Sequence, residues 1–167
     1  MKYLLILLLA VACKGQSHQS DDTVYYFIRH AEKDRSNSNN SNPHLNAMGK
    51  EHAQEWKTRL EDKGINAIYI TDFNRTRETA APLATYLNLK PKIYSATDLY
   101  SKNFKAETKG QTVLIVGHSN TTPAFVNSIL NDTTYKELND SNNGALFKVT
   151  FIDGKPQVSL QQFEDGF

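Results

Sequence analysis

Three short groups of ionisable residues carry the side chains of this 167-residue sequence that could do chemistry. The first is Arg29-His30-Ala31-Glu32-Lys33, the second centres on Arg75, and the third centres on His118. Two imidazoles and two guanidinium groups suit a phosphoryl group, because arginine forks match phosphate oxygens and a neutral imidazole can attack phosphorus. No cysteine and no carboxylate cluster accompanies them, so a zinc or calcium site is not expected.

The first two groups also have plainer interpretations. The first could be a strand that runs into a charged turn, with no ligand involved. Arg75 falls where a helix should begin, and unpaired backbone donors at such a junction suit an anion. Its plainer interpretation is that Arg75 and Arg77 are a solvated surface pair. Its neighbour Arg77 is expected to be a solvated surface residue. His44 and His52 are likewise expected at the surface and not as metal ligands.

Apolar runs that predict buried strands precede all three groups. They are Val24–Ile28, Ile65–Thr71 and Thr112–Gly117. Helical patterns alternate with these strands, which predicts an α/β fold: a three-layer α/β/α sandwich with a mostly parallel central sheet. The carboxyl ends of parallel strands share one edge of a sheet, so the three groups should converge on one pocket.

The first two helices have recognisable signals. Residues 45–64 show the apolar spacing of a helix, with Asn46 as N-cap and Gly64 at the carboxyl end. The next helix contains Pro82, which is best tolerated in a first turn. It should therefore begin late, near Glu78, or be kinked.

The connecting segments are predicted from turn chemistry. Residues 34–44 are rich in Ser and Asn and should form a loop, either a rim over the site or a disordered surface segment. Gly117 should allow a tight turn and keep the approach to His118 open. Residues 145–163 alternate around the turn Asp153–Pro156, which predicts a hairpin at the sheet edge.

Composition excludes several function classes. The chain has 19 basic and 18 acidic residues, so no field that attracts nucleic acid or a membrane surface is implied. Its single cysteine, Cys13, excludes an internal disulfide framework. The length suggests one domain. Oligomeric state cannot be inferred from these features.

The amino terminus predicts export. Lys2 is followed by an apolar run that is too short to span a bilayer, so residues 1–12 are predicted to be a signal peptide. Small residues directly before Cys13 resemble a bacterial lipobox, although an ordinary signal peptide with an incidental cysteine is the alternative. We expect a periplasmic or outer-membrane lipoprotein with a lipid on Cys13, a tether over 13–22 and one domain over 23–167.

Four segments resemble motifs of the histidine phosphatase superfamily, in the branch that includes phosphoglycerate mutases and small phosphohistidine phosphatases. They are Arg29–Glu32 (Arg-His-Gly, with Ala31 for glycine), Leu45–Gly49 (Leu-Thr-x-x-Gly), Thr71–Ala80 (Ser-x-Leu-x-Arg-Ala-x-x-Thr-Ala, with Thr71 for serine) and Val116–Asn120 (the second-histidine element). The resemblance runs from about Val24 to Leu130 and implies a phosphoglycerate mutase-like fold.

The resemblance also implies roles for individual residues. His30 would be the nucleophile that becomes phosphohistidine. Arg29, Arg75 and His118 would bind the phosphoryl group and stabilise its transition state. Asn120, inside the second-histidine element, would join the substrate-binding set. No metal and no cofactor would be needed.

The general acid has no unmistakable match in the motifs. Asp98 follows the short strand-like segment Lys92–Tyr94, whose carboxyl end should face the pocket, and we favour it. Glu32 is the rival, because it lies beside the nucleophile. A proton donor of this kind is needed by an alkoxide leaving group much more than by a phenolate.

The sequence therefore predicts a metal-independent phosphatase for small-molecule or phosphoprotein phosphomonoesters. The region after the tether is short and has little room for the insertions that build substrate pockets in mutases. A phosphotransferase of the mutase type remains one alternative. A catalytically silent phosphate- or glycan-binding lipoprotein is the other.

Overall fold

A computed structural model describes residues 23–163 of the chain. The predicted signal peptide, Cys13 and the tether lie outside these residues. The elements are β1 Val24–Arg29, α1 Ala47–Leu60, β2 Ala67–Ile70, α2 Asn74–Tyr86, β3 Lys92–Ile93, α3 Lys102–Thr108, β4 Thr112–Gly117, α4 Thr121–Leu130, β5 Ala145–Ile152 and β6 Lys155–Gln162. Over residues 23–163, no helix combines the length and the apolar character that a membrane span requires.

One sheet organises the fold, with the strand order β3-β2-β4-β1-β5-β6. The strands β3, β2, β4 and β1 are parallel, and β5 and β6 are antiparallel to their neighbours. This confirms the predicted α/β fold with a mostly parallel sheet. Because β1 and β2 flank β4, the segments that follow these three strands emerge side by side at one edge.

Both faces of the sheet are covered by helices. Tyr25 and Phe27 of β1 pack in one apolar cluster with residues of α3 and α4. Tyr26 and Ile28 face the opposite way and pack with residues of α1 and α2. This alternation is the period of a strand. Phe27 is 0% exposed, so its replacement by alanine should cost about 3–5 kcal/mol of stability.

The first helix agrees with its sequence-based prediction better than the second does. Asn46 caps α1 as predicted, because its side chain accepts a hydrogen bond from Gly49 N at 2.8 Å. Helix α2 begins at Asn74 and runs through Pro82. The late start near Glu78 was therefore wrong. Burial of an apolar stripe against α1 and the sheet outweighs the hydrogen bond that proline cannot make.

The carboxyl-terminal hairpin is tighter than expected. Only Asp153 and Gly154 form its turn, with φ of 52° and 73°. Such paired positive φ values match the twist of the strands in two-residue hairpins. Lys155 and Pro156, which we had placed in the turn, already pair with β5.

The Ser- and Asn-rich loop is anchored at the start of α2. Asn42 Oδ1 accepts a hydrogen bond from Asn74 N at 2.8 Å. The Glu78 carboxylate pairs with His44 and accepts a hydrogen bond from Leu45 N at 2.7 Å. These contacts fix the end of the loop near Arg75, which fits a rim better than a disordered segment.

Candidate active site

The two predicted site histidines are brought together by strand order. His30 directly follows β1 and His118 directly follows β4, two strands paired in register. The His30 amide donates a hydrogen bond to the Gly117 carbonyl at 2.9 Å. The imidazole centroids lie 5.3 Å apart with planes at 66°. A small tetrahedral anion could therefore contact both rings.

His30 has the environment of a nucleophile. It is 3% exposed, and its Nδ1 lies 2.7 Å from the Ala31 carbonyl oxygen. A carbonyl can only accept, so Nδ1 carries the proton and the Nε2 lone pair remains available. Burial lowers the pKa of His30 to about 3, with help from the charges of Arg29, His118 and Arg75, although the bond to Ala31 opposes this. The imidazole is therefore neutral at physiological pH.

His118 is held by residues that follow β2. Its Nε2 lies 2.9 Å from the Thr71 hydroxyl, and its ring stands at 89° to the Phe73 ring with centroids 5.1 Å apart. Burial, together with the charges of Arg75, Arg29 and Lys33, lowers the pKa of His118 to about 4. Both histidines thus meet an incoming anion as neutral donors or acceptors, and a bound dianion would raise both pKa values.

Arg75 is a cation without a counterion among residues 23–163. Its guanidinium carbon lies 4.3 Å from the centre of the Phe73 ring. Nε and Nη1 are buried and have no hydrogen-bond partner within residues 23–163. Such donors are costly unless a ligand satisfies them. Burial and the charge of Arg29 lower the pKa of Arg75. In contrast, Arg77 is exposed and pairs with Asp72, as the surface interpretation predicted.

Arg29 is beside the site, but other residues already bind most of its donors. It is 2% exposed. Its Nη1 donates to the carbonyls of Asn139 (2.9 Å), Asp140 (2.8 Å) and Asn142 (3.3 Å), and its Nη2 donates to Asp140 Oδ1 (2.7 Å). Nε is buried without a partner among the described residues. Sequence reasoning missed the segment 139–142 that binds Arg29, because its polar composition indicates only a loop.

Two motif residues have structural roles that sequence reasoning missed. The Thr79 hydroxyl accepts from Ala31 N at 2.9 Å and donates to the Arg75 carbonyl at 2.7 Å, which links the nucleophile loop to the arginine helix. Gly49 packs against the Glu32 carbonyl so closely that a Cβ there would overlap it. The sequence feature that could have identified them is their position in the family motifs, Thr79 in Thr71–Ala80 and Gly49 in Leu45–Gly49.

Gly117 is required for space and not for a turn. Its φ is not positive, so the expected conformational role is wrong. A Cβ at this position would lie 2.8 Å from both the Thr122 hydroxyl and the Tyr94 hydroxyl. The residue thus lets α4 approach the end of β4 closely.

An open cavity of about 1140 Å³ adjoins the nucleophile. Its wall includes Arg29, His30, Glu32, Lys33, Arg35 and His52. Arg75 and His118 lie outside this wall, but the His118 ring lies 5.3 Å from the His30 ring and the charge of Arg75 lowers the pKa of His30. The Glu32 carboxylate lies 2.6 Å from His52 Nδ1, and both side chains are partly buried. The cavity therefore offers room for a leaving group next to a carboxylate–imidazole pair.

Two predicted site residues lie elsewhere. Asp98 is exposed in a turn, with its amide 3.3 Å from the Ser95 carbonyl, and it does not line the cavity. It is also absent from the charges that shift the pKa of His118. Asn120 is exposed, and its side chain accepts from Thr121 N at 2.8 Å to cap α4.

The arrangement fits an anion and not a cation. Within residues 23–163, no three His, Cys, Asp or Glu side chains are grouped as metal ligands would be. Instead, Arg29 and Arg75 each have buried nitrogens without a hydrogen-bond partner among the described residues, and their charges act on the two neutral imidazoles. A phosphoryl group matches such donors in charge and geometry.

Comparison with known families indicates the relationship. The sequence model of the histidine phosphatase superfamily (branch 1) matches residues 25–98, which contain His30, Arg75 and three of the four motifs. Residues 25–98 are therefore similar to the histidine phosphatase superfamily (branch 1). A search of curated protein sequences finds no significant match.

Solved structures of histidine phosphatase-like proteins share the fold. The mycobacterial glucosyl-3-phosphoglycerate phosphatase is 13% identical, with a TM-score of 0.65 over 87% of this chain and 100% of that one. The protein histidine phosphatase SixA with tungstate is 16% identical, with a TM-score of 0.66 over 83% and 96%. An Entamoeba histolytica phosphoserine phosphatase mutant with phosphoserine is 13% identical, with a TM-score of 0.65 over 83% and 96%.

Burial of neutral His30 makes the stability of the protein depend on pH. The pKa of His30 falls from 6.5 to about 3 on folding, so the unfolded chain binds the proton more readily below pH 6.5. Stability should fall as pH drops from 6.5 towards 3, by up to about 1.4 kcal/mol per pH unit. Urea unfolding should show that the free energy of unfolding falls less from pH 7.5 to pH 5.5 in His30→Gln than in the wild-type protein. An equal loss in both proteins would contradict the assigned burial.

Proposed function

We propose that the protein is a phosphatase that hydrolyses phosphomonoesters through a phosphohistidine on His30. The observation that carries this proposal is a buried, neutral His30 with a free Nε2, 5.3 Å from His118 and next to the unsatisfied donors of Arg75. Similarity to the superfamily supports it. So do the activities named for the three structural neighbours, all of which are phosphatases.

The first chemical step is a transfer of the phosphoryl group. Nε2 of His30 attacks phosphorus, the bond from phosphorus to the ester oxygen breaks, and that oxygen leaves with a proton. The free N–H groups of Arg75 and Arg29 bind the non-bridging oxygens, whose charge they stabilise in the transition state. In the second step water attacks phosphorus, the N–P bond breaks, and phosphate and neutral His30 are regenerated.

Glu32 is the better candidate for the proton donor. It lines the cavity that holds His30, and His52 can pass a proton to its carboxylate across 2.6 Å. Asp98 was favoured from the sequence because it follows β3, but its exposed position outside the cavity wall gives it no access of this kind. We therefore assign the general acid to Glu32.

The two carboxylates can be separated by leaving-group dependence. Glu32→Gln should slow hydrolysis of an alkyl phosphate by about 10²-fold or more, and slow p-nitrophenyl phosphate much less, because a phenolate leaves without a proton. Asp98→Asn is the matched control and should show no such difference. Steady-state kcat/KM for both substrates and both variants is the measurement. A leaving-group difference in Asp98→Asn alone would return the role to Asp98.

A panel of phosphomonoesters tests the activity itself. The purified protein should release phosphate from at least one of them, and should continue to do so after exhaustive chelation of divalent ions. Transfer of the phosphoryl group to a second substrate molecule instead of water would favour the mutase alternative. Binding of phosphate without turnover of any ester would favour the silent binding protein.

We further propose that the protein is exported and held at a membrane by a lipid on Cys13. The support is the sequence of residues 1–13 alone. The native protein should partition into detergent, and Cys13→Ser should be released in soluble form. If Cys13→Ser remains bound to membranes through the apolar run, the lipid anchor is excluded.

A further inference from the structure

Lys33 is a second cation in the cavity that adjoins the nucleophile. It is three residues beyond His30, and its backbone pairs with Leu45, which fixes the segment. Its side chain is partly buried in the cavity wall. Within residues 23–163 it makes no hydrogen bond and no ion pair. An unpaired ammonium group at the wall of a substrate-sized cavity is free to bind an anion.

Arg35 contributes a third cation to the same wall, and the one counterion that it has in the described part of the chain is shared. Its Nη2 lies 2.7 Å from Asp140 Oδ2, whose other oxygen is bound by Arg29. Arg35 is 56% exposed and Asp140 is 65% exposed. An ion pair this exposed contributes little to stability. A substrate anion could therefore replace Asp140 at Arg35 while Arg29 keeps its carbonyl partners.

The two carboxylates adjacent to Lys33 in the sequence have other partners. Glu32 is paired with His52, and Asp34 accepts a hydrogen bond from Ser36 N at 2.8 Å. Burial and the positive charge of Arg35 lower the pKa of Lys33, which agrees with a local excess of cations. Lys33 and Arg35 thus place two cations in the cavity that receives the leaving group, in a wall that also carries the carboxylates of Glu32, Asp34, Glu51 and Asp140.

We propose that Lys33 and Arg35 form a second anion subsite, so that the substrates are phosphomonoesters whose leaving group carries an anionic group of its own. A carboxylate or a second phosphate in that position would bind the ammonium and the guanidinium together. This inference rests on the proposed phosphatase function and names its substrate class. It assigns Lys33 and Arg35 to recognition of the leaving group and not to chemistry at phosphorus.

Isosteric substrate pairs test the subsite. The substrates are 3-carboxyphenyl and 3-carbamoylphenyl phosphate, together with the 4-substituted pair, which differ only in the charge of the leaving group. The measured quantity is the ratio of kcat/KM for the carboxylate to kcat/KM for the amide. Each ratio is taken within one protein preparation, so a variant that folds incompletely still gives a valid value.

The expected ratio in the wild-type protein is about ten in favour of the carboxylate in at least one pair, as for a charge-assisted hydrogen bond. Lys33→Met and Arg35→Met should each lower it severalfold, and Asp140→Asn should raise it because Arg35 loses its internal competitor. Lys155→Met, at the exposed start of β6, is the control and should leave the ratio unchanged.

Three outcomes would overturn the subsite. The first is a wild-type ratio near one in both pairs. The second is a ratio that Lys33→Met and Arg35→Met leave unchanged. The third is an equal loss on both substrates in Lys33→Met, which would place Lys33 at the scissile phosphoryl group. Hydrolysis of no phosphomonoester at all would instead overturn the proposed function, and this inference with it.

Discussion

Replacement of His30 by alanine is expected to lower kcat/KM by at least about 10⁴-fold, the scale of losing a catalytic nucleophile. The physical reason is that no other described side chain presents an unprotonated, buried nitrogen to the donors of Arg75. Neutral His118 has its Nε2 against the Thr71 hydroxyl and cannot replace it. The measurement is phosphate release under single-substrate steady-state conditions, with the fold checked by circular dichroism.

His44→Ala is the matched control for that experiment. His44 lies in the Ser- and Asn-rich loop, is 68% exposed and pairs with Glu78 of α2. Its replacement should change kcat/KM by less than about threefold, as is usual for a surface residue. Turnover by a folded His30→Ala protein within tenfold of the wild-type protein would eliminate the nucleophile assignment.

Arg75→Gln should produce the second largest loss, about 10²- to 10³-fold in kcat, the range found when a preorganised donor to transition-state charge is removed. Its Nε and Nη1 have no partner among the described residues, so the phosphoryl group would be their first. Packing of the guanidinium on Phe73 holds the group in place before substrate arrives.

The same helix provides the control for this prediction. Arg77 lies two residues further on and pairs with Asp72 at the surface, so Arg77→Gln should retain nearly full activity. Inhibition by vanadate or inorganic phosphate should weaken in Arg75→Gln and stay unchanged in Arg77→Gln. Equal losses of activity in the two variants would show that only general positive charge matters there.

The sequence was sufficient to predict the layout of the sheet edge. Apolar runs identified β1, β2 and β4, and the ionisable residues directly after them identified the site, because a charge cannot continue a buried strand. Strand order then brought His30 and His118 together through the β1–β4 pairing. These features depend on local pattern and on general rules for parallel sheets.

Features that depend on tertiary contacts were not predictable in this way. The segment that binds Arg29 through Asn139, Asp140 and Asn142 has only a loop composition, and its carbonyl groups carry no sequence signal. Helix α2 passes through Pro82 because packing outweighs local propensity. The contrast between Glu32 in the cavity wall and exposed Asp98 also required coordinates.

The most direct test of the account is to trap the covalent intermediate. The protein would be mixed with a ³²P-labelled phosphomonoester, quenched in alkali within milliseconds, digested, and examined by mass spectrometry. The account predicts an acid-labile, alkali-stable phosphoryl group on the peptide that contains His30, and none in His30→Ala. Turnover with no label on His30, or label on another residue, would contradict it.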